Sequence, residues 1–163
     1  MDPHLKVLQE ELASEIAGVT PEQLQQHPPG KWCAAEVLEH LYLTFTGTTK
    51  GFSRVIAAQK VVTTPATWTQ RRNVVIVLVF GYLPSGREAP AFLRPRGLPV
   101  EKVVAEIAGK ISEMDDMIGR CEKELGRWDL LDHPILGPLT GAQWRKFHLV
   151  HGRHHLKQIR RLK

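Results

Sequence analysis

Four of the eight histidines of this 163-residue chain lie within a short stretch near its C-terminus. They are His148, His151, His154 and His155. On a helix, side chains at positions i and i+4 leave the same face about 5–6 Å apart, so the imidazoles of His151 and His155 can reach one metal ion. A third histidine, His40, lies in the opening turns of another predicted helix. One histidine from one helix and a pair from a second helix predict a three-nitrogen metal site.

A site with three protein nitrogens keeps a coordination position open for water or substrate. Structural zinc sites are normally closed by four protein ligands, so an open site predicts a catalytic ion. Three imidazoles accept several divalent ions. We expect zinc or nickel first, with iron and manganese as further candidates. Such an ion would act as a Lewis acid on a nucleophile.

Three more residues are candidates for outer contacts to these ligands. His148 lies one turn before His151 and is predicted to be an outer partner, a substitute ligand or a pocket wall. Gln158 follows His155 by three residues and is predicted either to orient it or to lie on a polar rim. Glu36 precedes His40 by four residues and could accept the second N–H of its ring. The alternative for Glu36 is a capping box with Cys33 at the start of the helix.

The formal net charge of +5 does not predict a nucleic-acid partner. Much of the basic excess lies at the end of the last predicted helix, where cations complement the negative end of the helix dipole. These residues are Arg153, Lys157, Arg160, Arg161 and Lys163. No nucleic-acid-binding motif accompanies them, so a solvated helix end is the favoured interpretation and a phosphate-binding patch is the alternative.

Cysteine usage, the N-terminus and the apolar stretches predict a single cytoplasmic domain over residues 1–163. Cys33 and Cys121 lack metal-binding or redox spacing, which favours reduced thiols. The N-terminus lacks a basic region followed by an apolar one, so no secretory signal is predicted. The longest apolar stretch, residues 74–83, is too short to cross a bilayer as a helix. We therefore expect no membrane partner.

Apolar residues at helical spacing, separated by Pro- and Gly-rich breaks, predict five helical segments. Their approximate bounds are 3–17, 34–61, 68–82, 100–125 and 140–161. The third segment contains a run of Val, Ile and Leu that also fits a buried strand. We favour a helix there because no other segment offers a strand partner. A long loop is expected at 84–99. Four substantial helices and a shorter one, without strand pairs, predict an all-α bundle.

The ordered motifs of this chain resemble the DinB/YfiT-like superfamily of metalloenzymes, the DinB-like domain. The motifs are Trp32–Leu41, which contains His40, then His133–Thr140, then Trp144, then His151–Ile159 with its HxxxH pair and Gln158. The resemblance covers nearly the whole chain. It implies a four-helix bundle with an up-down-down-up path and three ligands at positions matching His40, His151 and His155. Cys33 departs from the pattern, which usually has a Ser that caps the second helix.

The same resemblance implies a function. Relatives in the superfamily include thiol-dependent S-transferases and a mycothiol-dependent isomerase. We therefore expect a metal-dependent enzyme, either a thiol-dependent S-transferase or a hydrolase. Its expected partners are a small-molecule substrate, a low-molecular-weight thiol and a second copy of the chain in a homodimer. The alternative is a non-catalytic helical bundle that binds a metal or another ligand, with the ion sealed by a fourth protein ligand.

Overall fold

The computed structural model describes residues 1–83 and 89–162, and most of these residues are helical. The first five positions of the loop expected at 84–99, and Lys163, lie outside the described residues. The long helices are α1 (Pro3–Ile16), α3 (Ala34–Ala58), α5 (Val100–Leu125) and α6 (Gly141–Ile159). The short ones are α2 (Pro21–Leu24) and α4 (Trp68–Val74), and a 3-10 turn forms at Ala91–Leu93.

Local capping sets the start of α6 where the sequence predicts it. The Thr140 hydroxyl accepts from the Gln143 amide at 3.2 Å, and the Gln143 side chain accepts from the Thr140 amide at 2.9 Å. This reciprocal pair satisfies two N–H groups that have no partner inside the helix. By contrast, α3 ends at Ala58, three residues earlier than expected, because Gln59 adopts a left-handed φ of 48°.

The third segment is confirmed as helical over residues 68–79 and ends three residues before the predicted bound at 82. Helix α4 continues directly into a π-helical stretch at Val75–Val79. Only Val77 and Leu78 of that stretch are buried, so the apolar run is covered on one side and does not form a strand inside a sheet.

The expectation of an all-α fold without strand pairs is wrong at one place. Strands β1 (Asp129–His133) and β2 (Gly137–Thr140) form an antiparallel hairpin, in which Leu131 pairs with Leu139. The His133 Nδ1 closes the turn by accepting from the amides of Ile135 and Leu136 at 3.1 and 3.2 Å. Strands of four and five residues contain too few positions for an alternating pattern to be recognised.

The four long helices pack around one hydrophobic core. Helix α3 packs against α5 and α1 against α6, and further contacts join α3 to α6. A Cβ on Gly152 would overlap the Leu8 side chain, so this glycine lets α6 approach α1 closely. The Arg145 guanidinium on α6 bonds to Asp115 at 2.6 Å and Glu122 at 2.8 Å, both on α5. This packing brings the face of α6 that bears the histidines against α3.

Within residues 1–83 and 89–162, no helix is both long enough and apolar enough to cross a bilayer.

Candidate metal centre

His40 on α3 and the pair His151 and His155 on α6 converge on one point. Each offers one ring nitrogen, and these atoms lie within 4.8 Å of one another. The Nε2 atoms of His151 and His155 are 3.0 Å apart. The ring centroid of His40 lies 5.4 Å from that of His151 and 4.8 Å from that of His155. The i, i+4 spacing places the pair on one helix face, and the packing of α3 on α6 supplies the third ring.

Two of the three rings are oriented by a hydrogen bond at Nδ1. The His40 Nδ1 lies 2.8 Å from the Leu93 carbonyl oxygen, which can only accept, so this nitrogen carries the hydrogen. The His155 Nδ1 lies 2.8 Å from Oε1 of Gln158 and donates to it. Both rings therefore present an Nε2 lone pair to the cluster. Of the two positions predicted for Gln158, the structure places it beside His155.

Burial keeps these imidazoles neutral at neutral pH. Burial, with smaller contributions from the neighbouring histidines, lowers the pKa of His155 to about 3 and that of His151 well below its ordinary value. Burial also lowers the pKa of His40, partly opposed by the bond to Leu93. A neutral imidazole is the form that binds metals. Because the His155 Nε2 is an acceptor, its 3.0 Å contact with the His151 Nε2 is a hydrogen bond in which His151 donates.

Aromatic side chains enclose the cluster. The Trp32 ring lies 5.5 Å from the His40 ring, and Phe147 stacks on His151 at 5.3 Å with an interplanar angle of 13°. His40 and His155 are 4% and 8% exposed, whereas His151 is half-buried. These rings exclude water and lower the local dielectric, which strengthens electrostatic interactions at the cluster.

His148 lies outside this group of converging nitrogens. It is fully buried, and neither ring nitrogen has a hydrogen-bond partner in the part of the chain that the structure describes. Its ring stacks on Trp144 and also contacts Phe45 and Phe147. Burial lowers its pKa to about 3. The residue with the best position in sequence to close the site as a fourth ligand is therefore not part of the cluster.

Glu36 lies in the helix cap and not beside His40. Its carboxylate accepts from the Cys33 amide at 2.9 Å, in the capping box that was the alternative prediction. The ring nitrogen that Glu36 was expected to bind is taken by Leu93. His27, Cys33 and Glu36 form a second group whose ligand-type atoms lie within 4.8 Å of one another. The cap accounts for the positions of Cys33 and Glu36 in it, because residues Ncap and N3 meet in any capping box.

The sequence does not predict the roles of two residues near the cluster. Leu93 contributes a backbone carbonyl, which residue type does not reveal. Glu39 is 2% exposed, and its carboxylate accepts from the amides of Arg96, Gly97 and Leu98. The one available signal for Glu39 is a charged residue inside the apolar opening of a long helix. All six residues from Val37 to Tyr42 are buried.

Comparison with protein families identifies the family to which this chain is similar. The model of a family described as "Protein of unknown function (DUF1569)" matches residues 4–162. No curated protein and no solved structure matches the chain significantly.

Proposed function

This chain belongs to the DUF1569 family of proteins of unknown function, and we propose that it is an enzyme. In this proposal it binds one divalent metal ion through His40, His151 and His155 and uses that ion in catalysis. The observation that carries the proposal is the convergence of three histidine nitrogens within 4.8 Å. The proposal includes a bundle with the up-down-down-up path of the DinB/YfiT-like superfamily, which the chain resembles.

The donor atoms fit a small divalent ion. Zinc–imidazole bonds of 2.0–2.1 Å place two ligands of a tetrahedral ion about 3.3 Å apart. The Nε2 atoms of His151 and His155 are 3.0 Å apart, so a small outward movement would admit the ion. Leu93 and Gln158 already hold His40 and His155 with Nε2 free, which is the outer support that metal-binding histidines usually have. Zinc or nickel fits best, with iron and manganese as the other candidates.

The charge of the donor set supports a catalytic ion. Within the described ranges, the group contains no carboxylate and no thiolate, so the ligands do not neutralise a dication. When bound, the ion would supply Lewis-acid activation of water or of a thiol. Trp32 and Phe147 would limit access of bulk water. We propose thiol-dependent S-transfer or hydrolysis of a small molecule, and the thiol rests on the superfamily resemblance alone.

The second candidate function is a non-catalytic metal- or ligand-binding protein. Burial favours it, because His40 and His155 are only 4% and 8% exposed. A sealed ion would stabilise the packing of α3 on α6 without reaching a substrate. The two functions differ in whether a small molecule can enter the coordination sphere.

The binding of the ion is tested by metal analysis of the purified protein. We expect about one divalent ion per chain, and its loss on His40→Ala, His151→Ala or His155→Ala. The matched control is His4→Ala on α1, a histidine that bonds only to Asp2 among the described residues. Undiminished metal content in all three cluster variants would refute the site.

The catalytic character is tested with the cobalt-substituted protein. We expect its absorption spectrum to change when small anions or thiols are added, because a free coordination position admits them. A spectrum of four protein ligands that does not respond to either addition would favour the non-catalytic function. A screen for conjugation of low-molecular-weight thiols to electrophiles then separates S-transfer from hydrolysis.

A further inference from the structure

The Glu39 carboxylate holds the chain segment that follows the 3-10 turn. Its Oε1 accepts from the Arg96 amide at 2.7 Å, and its Oε2 accepts from the amides of Gly97 and Leu98 at 3.1 and 3.2 Å. Successive backbone N–H groups that converge on one anion form a nest. Gly97 has a φ of 82°, a conformation that other residues rarely adopt. Charge-assisted bonds of this kind are stronger than neutral ones.

The next residue of α3, His40, bonds to the 3-10 turn that precedes this segment. The His40 Nδ1 donates to the Leu93 carbonyl at 2.8 Å. Only two residues separate Leu93 from Arg96, where the contacts of Glu39 begin. The Leu93 amide is itself fixed by the Pro90 carbonyl at 2.8 Å. The position of the Leu93 carbonyl therefore depends on the 3-10 turn on one side and on Glu39 on the other.

We propose that Glu39 is a positioning residue for the metal centre: it anchors residues 96–98 and thereby holds the Leu93 carbonyl where it keeps His40 in the Nδ1–H form. This proposal rests on the proposed function, because its consequence is an Nε2 lone pair that points into the cluster. Glu39 acts through the backbone and does not bind the ion. The other interpretation is that Glu39 only stabilises the fold, as any satisfied buried carboxylate would.

The variant that separates the two interpretations is Glu39→Gln. An amide keeps the size of the carboxylate but loses its charge and presents N–H groups to the backbone donors. We expect metal affinity to fall by up to about 10-fold, because losing a direct partner of a metal ligand costs about 10- to 100-fold and Glu39 acts one step further out, through the Leu93 carbonyl. The control is Glu106→Gln, because Glu106 also bonds to α3, by accepting from the Tyr42 hydroxyl at 2.7 Å, and no hydrogen bond in the described part of the chain joins it to residues 93–98. Its metal affinity should stay at the wild-type level.

A readout that does not depend on the metal tests the positioning role directly. Nitrogen NMR of the metal-free protein with isotope-labelled histidine reports which ring nitrogen of His40 carries the hydrogen. We expect the Nδ1–H form in the wild type and in Glu106→Gln, and a mixture of both forms in Glu39→Gln. Amide hydrogen exchange at residues 96–98 should be faster in Glu39→Gln alone. A role confined to stability would leave the His40 signals of the folded variant unchanged.

A second substitution keeps the test decisive if Glu39→Gln does not fold. Gly97→Ala places a side chain at a φ of 82° with nothing within 4 Å of its Cβ, so it loosens the nest without altering α3. The control Gly18→Ala introduces a similar strain at a φ of 73°, also into open space, in a loop away from the cluster. We expect mixed His40 forms and weaker metal binding only in Gly97→Ala.

The outcomes distinguish this proposal from the proposed function. If the wild type binds no metal, the proposed function fails while the NMR comparison still tests Glu39. If metal binding is intact and the folded variants keep the Nδ1–H form of His40 with unchanged affinity, the role of Glu39 is refuted and the three-histidine site stands.

Discussion

Replacing His148 with Phe should raise the free energy of unfolding more at pH 5 than at pH 7. His148 is fully buried without a hydrogen-bond partner among the described residues, and burial lowers its pKa to about 3. In the unfolded chain the ring has its ordinary pKa of about 6.5. Between these two values the unfolded state binds a proton that the folded state does not. Stability is therefore lost as the pH falls through 6.5 towards 3.

The size of the effect follows from the two pKa values. At pH 5 the unfolded ring is almost fully protonated and the folded ring almost fully neutral, which costs the wild type about 2 kcal/mol. At pH 7 the same difference costs only about 0.2 kcal/mol. The stability gained by His148→Phe should thus be about 2 kcal/mol larger at pH 5 than at pH 7. Any cost of fitting the larger ring between Phe45, Trp144 and Phe147 is independent of pH and cancels in this comparison.

The assay is urea unfolding of the metal-free protein in chelator at both pH values, followed by circular dichroism. His148→Gln is the matched control, because it removes the titrating ring and keeps a polar side chain. It should show the same difference between the two pH values, while its stability at pH 7 stays below that of His148→Phe. Equal effects of His148→Phe at pH 5 and pH 7 would show that the folded protein does not hold His148 neutral.

Three further outcomes are expected. Removing the proposed ion with a chelator should lower the melting temperature, since a ligand at 100 times its Kd adds about 2.7 kcal/mol. Helical circular dichroism should persist, and its loss at room temperature would contradict a core that folds without the ion. Cys33→Ser should raise the free energy of unfolding by about 0.5–1 kcal/mol, because a hydroxyl caps a helix better than a thiol, whereas an unchanged value would mean that the thiol already caps fully. Gly152→Ala should lower the free energy of unfolding by about 1–3 kcal/mol, because the added methyl group overlaps Leu8. Gly109→Ala, with open space around its Cβ, should raise it by up to about 1 kcal/mol. Similar effects of the two substitutions would refute the close approach of α6 to α1.

The helices were predictable because their signals are local. The predicted bounds of α5, residues 100–125, match the structure, and its apolar residues recur at helical spacing. The Thr140 cap depends on contacts within three residues. The hairpin at 129–140 was missed because strands of five and four residues are too short to show an alternating pattern. Leu131 of β1 lies against Gly51 of α3, where a Cβ would overlap it.

Local helix geometry explains one part of the histidine cluster, and tertiary packing explains the rest. The i, i+4 spacing of His151 and His155 determines by helix geometry alone that the two rings share a face. That His40 meets them follows from the packing of α3 on α6, which residue type and helical spacing do not specify, although the histidine pattern and the family resemblance both predicted the meeting. The partner of His40 was decided entirely by the tertiary structure, because a backbone carbonyl such as that of Leu93 exists at every position and acts only where folding places it.

Competition between neighbouring groups explains why the outer contacts were harder to predict than the ligands. Glu36 had two partners within reach along the helix, and the unpaired amide at the N-terminus of α3 takes its carboxylate. Glu39 had no local partner that the sequence could indicate, and the three amides that bind it come from more than fifty residues away in the chain. The sequence thus determined which side chains can act as ligands, since residue type and helical spacing are local properties. The tertiary structure alone decided which groups orient them, since a buried polar atom bonds to whatever donor or acceptor the packing brings near.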